Sequence, residues 1–153
     1  MDIGSGNTYP SNALSNFAPH PFVIDGIECN SMEGFLQSLK FDSVDMQRYV
    51  CTLVGKAAKF KGKNKKWWKK QELYWQGVAI KRDSDEYQKL LDRAYDALFE
   101  NSGFRKALEA SKGCTLTHSI GKNDRTKTVL TTSEFISRLL KLRNRIEKGE
   151  SLF

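Results

Sequence analysis

The sequence has little of what a disulfide framework or a metal centre requires. Its three cysteines (Cys29, Cys51 and Cys114) are odd in number and lack any C-x-x-C spacing, and the chain has only two histidines. Buried free thiols are the expected state, and neither a disulfide scaffold nor a zinc site is indicated. We therefore expect a protein that needs no metal and no cofactor.

Apolar runs of membrane-spanning length are missing as well, and the segment from Met1 to Pro10 has neither the basic start nor the apolar stretch of a secretory signal. These absences predict a cytoplasmic protein without a membrane partner. The sequence also contains no P-loop, no dinucleotide-binding glycine pattern and no hydrolase serine elbow. Because 153 residues fit one compact domain, we expect residues 1–153 to form a single domain.

Positive charge, by contrast, is abundant and concentrated. The formal net charge is +7, and eight lysines lie between Lys56 and Lys70 without one acidic residue, which leaves the rest of the chain close to neutral. Localised positive charge of this kind attracts the phosphates of a nucleotide or a nucleic acid. Trp67 and Trp68 lie in the same segment, and they either pack in the core or stack on a base within reach of the lysines.

The stretch from Asn30 to Lys40 carries two patterns on one predicted helix. The spacing of a buried helical stripe is seen at Met32, Phe35, Leu36 and Leu39. Glu33, Gln37 and Lys40 then fall within roughly 60° of one another on an adjoining face. This row can line a pocket. Alternatively, Asn30 caps the helix, Glu33 completes a capping box, and Gln37 and Lys40 are solvated.

Helices dominate the remaining prediction. Residues 22–24 and 27–29 flank Asp25-Gly26, which is a strong hairpin signal. The predicted helices cover residues 43–53, 54–60, 65–81 and 83–99, followed by a short helix at 104–108 and a last one at 131–149. Tyr95 lies in the apolar stripe of the helix that Asp83 begins, Thr131 and Glu134 form a capping-box candidate, and residues 115–118 are predicted as a short strand.

Three motifs together resemble the YbiA-like, or NADAR, family. They are the loop Ser15-Asn16-Phe17, the F-x-x-D-G hairpin, and the run S-M-E-G-F-L-Q-S-L-K-F at residues 31–41. The family hallmark has an S-N-F loop, a hairpin and T-S-E-x-x-x-Q-x-x-K-F in the same order. The resemblance implies an α+β, mainly helical fold with a short N-terminal β-hairpin. It also implies an N-glycosidase, acting on riboflavin-pathway intermediates in some members and on ADP-ribose attached to guanine in others.

The resemblance also implies roles for individual residues of the first motifs. Asn16, between Ser15 and Phe17, would orient the base or the sugar of the substrate. Glu33 would be the catalytic acid or base, Gln37 would support it, and Lys40 would lie at the site.

Later residues complete the implied site. Trp68 would be a stacking platform, with Trp67 as the register alternative. The lysines expected to bind phosphates are Lys56, Lys61 and Lys63. His118 and Asp124 are counterparts of a late His and acidic residue of the family, and Asp124 would join the catalytic set, although no W-G pair follows at residues 126–130. His118 is alternatively a hydrogen-bonded structural residue.

These residue types suit the cleavage of a ribosyl C–N bond, which develops positive charge on the sugar and negative charge on the leaving base. Glu33 can stabilise the sugar or activate water, and a neutral Lys40 can instead form a Schiff base with the opened ribose. We expect an N-glycosidase that removes ADP-ribose from guanine in nucleotides or nucleic acid. The alternatives are an N-glycosidase of a ribosylamino-pyrimidine phosphate and a non-catalytic nucleic-acid-binding protein.

Overall fold

The computed structural model describes residues 1–149, in which helices predominate over two small antiparallel hairpins. The first half contains α1 (Ser11–Leu14), β1 (Phe22–Ile24), β2 (Ile27–Cys29), α2 (Met32–Ser38), α3 (Val44–Cys51) and α4 (Gly55–Gly62). The second half contains a 3-10 helix (Trp67–Lys69), β3 (Glu72–Trp75), β4 (Val78–Lys81), α5 (Asp85–Leu98), α6 (Ser102–Ala110) and α7 (Thr132–Glu147). This α+β, mainly helical fold with an N-terminal hairpin confirms the predicted class.

The predicted N-terminal hairpin is present and delivers the chain to α2. Asp25 and Gly26 both have positive φ, as a two-residue turn between short strands requires. The Asp25 carboxylate then accepts hydrogen bonds from Trp75 Nε1 at 2.8 Å and Arg93 Nη2 at 3.0 Å. The turn is thereby tied to β3 and α5, which fixes the direction in which α2 leaves it.

The prediction of a helix over residues 65–81 is wrong. Only a 3-10 turn forms there, and β3 pairs with β4 around a turn at Gln76 and Gly77. Gln71, Gln76 and Gly77 all have positive φ, which an α-helix cannot contain. Burial in β3 also alternates, with Leu73 and Trp75 buried and their neighbours partly exposed, as expected for a strand.

Glycines allow α2 to approach its neighbours closely. A Cβ atom on Gly34 would lie 2.5 Å from the Leu53 carbonyl oxygen, and one on Gly62 would overlap the Oε1 atom of Gln37. A Cβ atom at Gly34 would collide with backbone, so α3 and the residues after it pack this closely on α2 only with glycine there, whereas at Gly62 the Gln37 side chain would have to move. The predicted apolar stripe of α2 is buried throughout.

The second half of the chain surrounds a buried ion pair. Thr131 and Glu134 form the predicted capping box at the start of α7. Glu134 also receives two hydrogen bonds from Arg82, a residue with no solvent exposure. Two predicted boundaries are corrected: Ser84, not Asp83, caps α5, and residues 115–118 contribute a single parallel bridge rather than a strand. None of the helices within residues 1–149 is long and apolar enough to cross a membrane.

Candidate active site

A pocket of about 400 Å³ opens beside α2, a volume suited to a small ligand. It lies between α2, the loop that follows α1, Lys59 of α4, and the segment that leads into α7. Of the residues singled out from the sequence, it is lined by Ser15, Asn16, Phe17, Glu33, Gln37, Lys40 and His118. Within residues 1–149, no group of three His, Cys, Asp or Glu side chains is arranged to hold a metal ion.

The start of α2 leaves the Glu33 carboxylate available to the pocket. Ser31 is the N-cap, and its hydroxyl accepts a hydrogen bond from Gly34 N at 3.0 Å. The capping-box interpretation, with Asn30 as cap and Glu33 as its partner, is therefore wrong. The Glu33 carboxylate instead accepts a hydrogen bond of 2.7 Å from Gln37 Nε2, one helical turn further on.

Partial burial moves the ionisation of Glu33 and Lys40 in opposite directions. Burial raises the pKa of the Glu33 carboxyl, against the lowering effects of the Gln37 hydrogen bond and of positive charge at Lys40, Lys59 and His118. Burial lowers the pKa of the Lys40 amine, against the raising effect of Glu33. Both groups are thus held closer to their neutral forms, as is common for acid–base and nucleophilic groups in active sites.

Gln37 is buried between these two groups and has an unused acceptor. Its Nε2 atom is occupied by Glu33, whereas its Oε1 atom has no hydrogen-bond partner among residues 1–149. Lys40 Nζ lies 3.5 Å from the carbonyl oxygen of Gly62, the residue of α4 that also packs against the Gln37 side chain. A buried amide oxygen without a partner is uncommon, and a ligand donor in the pocket is one way to satisfy it.

The loop after α1 is fixed to α2 and α5 through Asn16. The Asn16 carbonyl accepts a hydrogen bond from Glu33 N at 2.9 Å, and its side-chain oxygen accepts one from the Tyr95 hydroxyl at 2.7 Å. Burial raises the pKa of that hydroxyl well above its ordinary value, so Tyr95 remains a donor. The amide nitrogen of Asn16 has no hydrogen-bond acceptor among residues 1–149 and can donate to a ligand.

His118 forms part of the opposite wall. Its Nδ1 atom donates to the Ile3 carbonyl at 2.9 Å. Its ring packs edge-on against Phe135, with the two ring centroids 5.1 Å apart. His118 therefore has a structural partner and a position in the pocket wall at once.

The buried ion pair supports the same wall. Arg82 Nε donates to the Thr128 carbonyl at 3.0 Å, and the Tyr87 hydroxyl donates to the Val129 carbonyl at 2.5 Å. Thr128 and Val129 line the pocket. Arg82 thus connects the pair it forms with Glu134 to the backbone that faces the ligand space.

Several expected residues lie outside the pocket. Trp67 lines the pocket with a 9% exposed side chain, whereas Trp68 is 50% exposed and outside it. Trp67, the alternative to Trp68 in the sequence prediction, is therefore the tryptophan of the pocket wall. The Asp124 carboxylate is exposed and accepts hydrogen bonds from Thr126 N and Thr126 Oγ1 rather than facing Glu33.

The lysines near the pocket also differ from the expected set. Lys56, Lys61 and Lys63 are exposed and outside its lining, which contains Lys59, Lys122 and Lys127 in addition to Lys40. One signal for Lys59 is available in the sequence, because it follows Ala58, the small residue that α4 buries against α2. Lys122 and Lys127 come from a loop without periodicity, where the sequence offers no comparable signal.

Comparisons with known proteins describe the chain along most of its length. The family model described as Bacteriophage protein GP30.3 matches residues 8–144. A protein of Enterobacteria phage T4, named as an uncharacterized 17.1 kDa protein in the Gp30-rIII intergenic region, is 43% identical over 149 residues, which cover 94% of this chain and 97% of the relative. The solution structure of the E. coli protein YbiA matches with a TM-score of 0.61 and 18% identity, covering 97% of this chain and 86% of YbiA. The fold is thus YbiA-like.

Proposed function

The chain belongs to the bacteriophage GP30.3 family, and from the geometry of its pocket we propose that it is an N-glycosidase that hydrolyses a ribosyl C–N bond. The observation that carries the proposal is the row of Glu33, Gln37 and Lys40 along one side of a pocket of about 400 Å³. A simple phosphate binder has no use for a carboxylate and an amine that are both shifted towards neutrality. The YbiA-like fold and the sequence motifs of NADAR enzymes support the same class.

The favoured substrate is ADP-ribose attached to guanine in a nucleotide or nucleic acid, and the proposed place of action is the cytoplasm. Lys59, Lys122 and Lys127 line the pocket, although Lys127 lies 3.9 Å from the Asp124 carboxylate and is partly neutralised. A diphosphate can engage more than one ammonium group, whereas a monophosphate needs one or two. This excess of positive charge favours ADP-ribose over a ribosylamino-pyrimidine phosphate.

In the proposed direct reaction, water attacks the anomeric carbon as the C–N bond breaks. The bonding electron pair leaves with the base nitrogen, which gains the proton that the attacking water loses. The Glu33 carboxylate either carries this proton from the water to the base or stabilises the positive sugar while the proton passes between them directly. The amide nitrogen of Asn16 donates to the base or the sugar and fixes its orientation. In this proposal the base stacks on Trp67, which lines the pocket.

The test is mass spectrometry of the products after incubation with ADP-ribosyl-guanosine and, separately, with a ribosylamino-pyrimidine phosphate. We expect free ADP-ribose and guanosine from the first substrate. Glu33→Gln keeps the shape of the side chain and the bond from Gln37, so it should remain folded and bind substrate, while turnover falls by at least about 10². Cleavage of the pyrimidine alone would reassign the substrate, and equal turnover in parent and Glu33→Gln would reject the proposed role of the carboxylate.

A covalent route through Lys40 makes a separate prediction. If the neutral amine attacks the anomeric carbon, the base leaves and the opened ribose forms a Schiff base, which water later hydrolyses. Borohydride added during turnover should then attach the sugar to Lys40, as peptide mass mapping can detect. Lys40→Ala should abolish this adduct. Full activity in Lys40→Ala would exclude the lysine from the chemistry and leave direct attack by water.

A further inference from the structure

A surface beside the pocket combines positive charge with a lack of acidic partners. We call it the lysine-aromatic surface: residues 56–70, which span α4 and the 3-10 helix, together with Tyr49 of α3. Among residues 1–149, none of its eight lysines has a carboxylate within 4.0 Å, whereas ion pairs of that length occur elsewhere. Uncompensated charge at this density favours a polyanionic partner.

Large aromatic rings are exposed on the same surface. Their exposed fractions are 52% for Tyr49, 64% for Phe60 and 50% for Trp68. Each ring lies under a lysine ammonium, at 5.7 Å for Lys61 over Tyr49, 5.6 Å for Lys63 over Phe60 and 5.9 Å for Lys69 over Trp68. A flat ring beside a positive charge matches a nucleotide, which presents a base beside a phosphate.

Helix α4 connects this surface to the pocket. Lys59 lines the pocket. At about 100° per residue, Lys63 and Lys56 lie roughly 40° and 60° around the helix from Lys59, and Phe60 lies about 100° away. Moving away from the pocket around α4, a strand would therefore pass two lysines and reach the Phe60 ring.

Trp68 is the chain neighbour of a residue in the pocket wall. It directly follows Trp67, which is in the wall, so their Cα atoms are separated by one peptide unit. Gln71 Nε2 donates both to the Trp68 carbonyl at 2.9 Å and to the Thr126 carbonyl at 2.8 Å. The backbone at Trp68 is thereby tied to the loop that supplies Lys122 and Lys127 to the pocket.

We propose that the lysine-aromatic surface binds single-stranded nucleic acid and guides a nucleotide of that strand to the pocket. Bases in a duplex are stacked on one another and cannot offer their faces to Phe60 or Trp68, whereas bases in a single strand can. Delivery to the pocket rests on the proposed N-glycosidase function. Binding of an unmodified strand does not, so the two can be tested separately.

The experiment measures fluorescence anisotropy of labelled, unmodified 12-nucleotide single strands of DNA and RNA, titrated with the full chain at several salt concentrations. Phe60→Leu keeps an apolar side chain but removes the ring, and it should weaken binding at least about fivefold, while Phe60→Trp should restore it. The double substitution Lys56→Ala/Lys63→Ala should lower the slope of log affinity against log salt by about 1.4. Lys106→Ala/Lys141→Ala removes two exposed lysines from α6 and α7 and should leave the slope unchanged.

The outcomes separate this inference from the proposed function. Glu33→Gln should bind the strand as the parent does, even though its turnover is lost. Strand binding that depends on Phe60, without any glycosidase activity, would support the surface and reject the enzyme. Activity on ADP-ribosyl-guanosine with strand binding insensitive to Phe60→Leu, or with equal affinity for a duplex of the same length, would support the enzyme and overturn the surface.

Discussion

Burial of Glu33 disfavours the charged form of its carboxyl group. Because burial raises the pKa of this carboxyl above its ordinary value of 4.5, the folded chain holds the proton more tightly than the unfolded chain does. The contribution of Glu33 to the free energy of unfolding is therefore most favourable at low pH and declines as pH rises through the raised pKa. The proposed catalytic role of a charged carboxylate gives a reason for the folded protein to retain this penalty.

Glu33→Gln removes that penalty along with the charge. We expect the melting temperature of Glu33→Gln, minus that of the parent, to be greater at pH 7 than at pH 4, because only at pH 7 does the parent bury an ionised carboxylate. Thermal unfolding followed by circular dichroism at the two pH values measures this difference. The same difference at both pH values would mean that the carboxyl titrates alike in the folded and unfolded chain.

Tyr95 acts on the site through Asn16. Tyr95→Phe removes the hydroxyl that donates to the Asn16 side chain at 2.7 Å, so the amide loses its fixed orientation while the ring keeps its packing. We expect kcat/KM to fall about 2- to 10-fold, the usual worth of one neutral hydrogen bond. In an Asn16→Ala background the same substitution should add no further loss, since the two residues act as one unit. Tyr9→Phe, at an exposed tyrosine, is the control, and additive losses would contradict the positioning role.

For single residues, the sequence predicts burial better than it predicts which residues contact one another. The helical stripe of α5 correctly predicts that Tyr95 is buried. Its partner Asn16 lies 79 positions away, and no local periodicity encodes such a contact. The sequence also could not decide which of Trp67 and Trp68 lies in the pocket wall. A shift of one residue changes which ring faces inward, and only the folded backbone fixes that register.

At the scale of elements, the contact between α2 and α4 determines the shape of the pocket. Gly62→Ala would insert a methyl group against Gln37 Oε1 and displace the side chain that bonds Glu33. In an exposed helix this substitution stabilises by about 1 kcal/mol, but here we expect destabilisation of about 1–3 kcal/mol together with loss of activity. Urea unfolding and turnover assays measure the two effects.

A second substitution tests the cause. Gln37→Ser shortens the displaced side chain, so adding it to Gly62→Ala should recover much of the lost stability without restoring activity. Ala57→Ser, on the exposed side of α4, serves as the control for the helix itself. If Gly62→Ala is as stable as the parent, the helices can separate at little cost and the close approach does not shape the pocket.

The misassigned segment at residues 65–81 shows where element prediction fails. Trp68, Glu72 and Trp75 recur at helical spacing, but β3 uses a period of two and the chain reverses at Gln76. Gly77 suits such a turn, but Gln76 is not a residue type that favours positive φ, unlike Asp25 in the Asp25-Gly26 turn, whose residue types predicted the first hairpin correctly. Periodicity identifies an element well where the capping residues agree with it, as in α7 with its predicted capping box.

At the scale of the whole molecule, Arg82 joins β4, the pocket wall and α7. Burial acts to raise the pKa of Glu134, but hydrogen bonds from Arg82, the Thr131 amide and Gln88 outweigh it and lower this pKa to about 2. The stability contributed by this carboxylate is present above its ordinary pKa and is lost as pH falls through about 2. The stability contribution of Glu134 therefore falls as pH is lowered, whereas that of Glu33 falls as pH is raised.

Arg82→Met should therefore be severe. It leaves the Glu134 charge buried without a cationic partner, for which we expect a loss of about 3–5 kcal/mol in the free energy of unfolding at pH 7. Arg82→Met/Glu134→Gln removes the charge but keeps an acceptor for the capping box, and it should regain much of the loss. Denaturant unfolding of the three proteins checks this, and a mild effect of Arg82→Met alone would mean that water reaches the pair.

The contact between His118 and the Ile3 carbonyl has a consequence for the order of folding. Two residues separated by 115 positions must meet before this wall of the pocket exists, whereas the hairpins and the individual helices need only local contacts. Because closure of so long a loop carries a large entropic cost, the wall is expected to be among the last parts of the protein to assemble. Ligand-binding competence would then mark the end of folding, well after most secondary structure has formed.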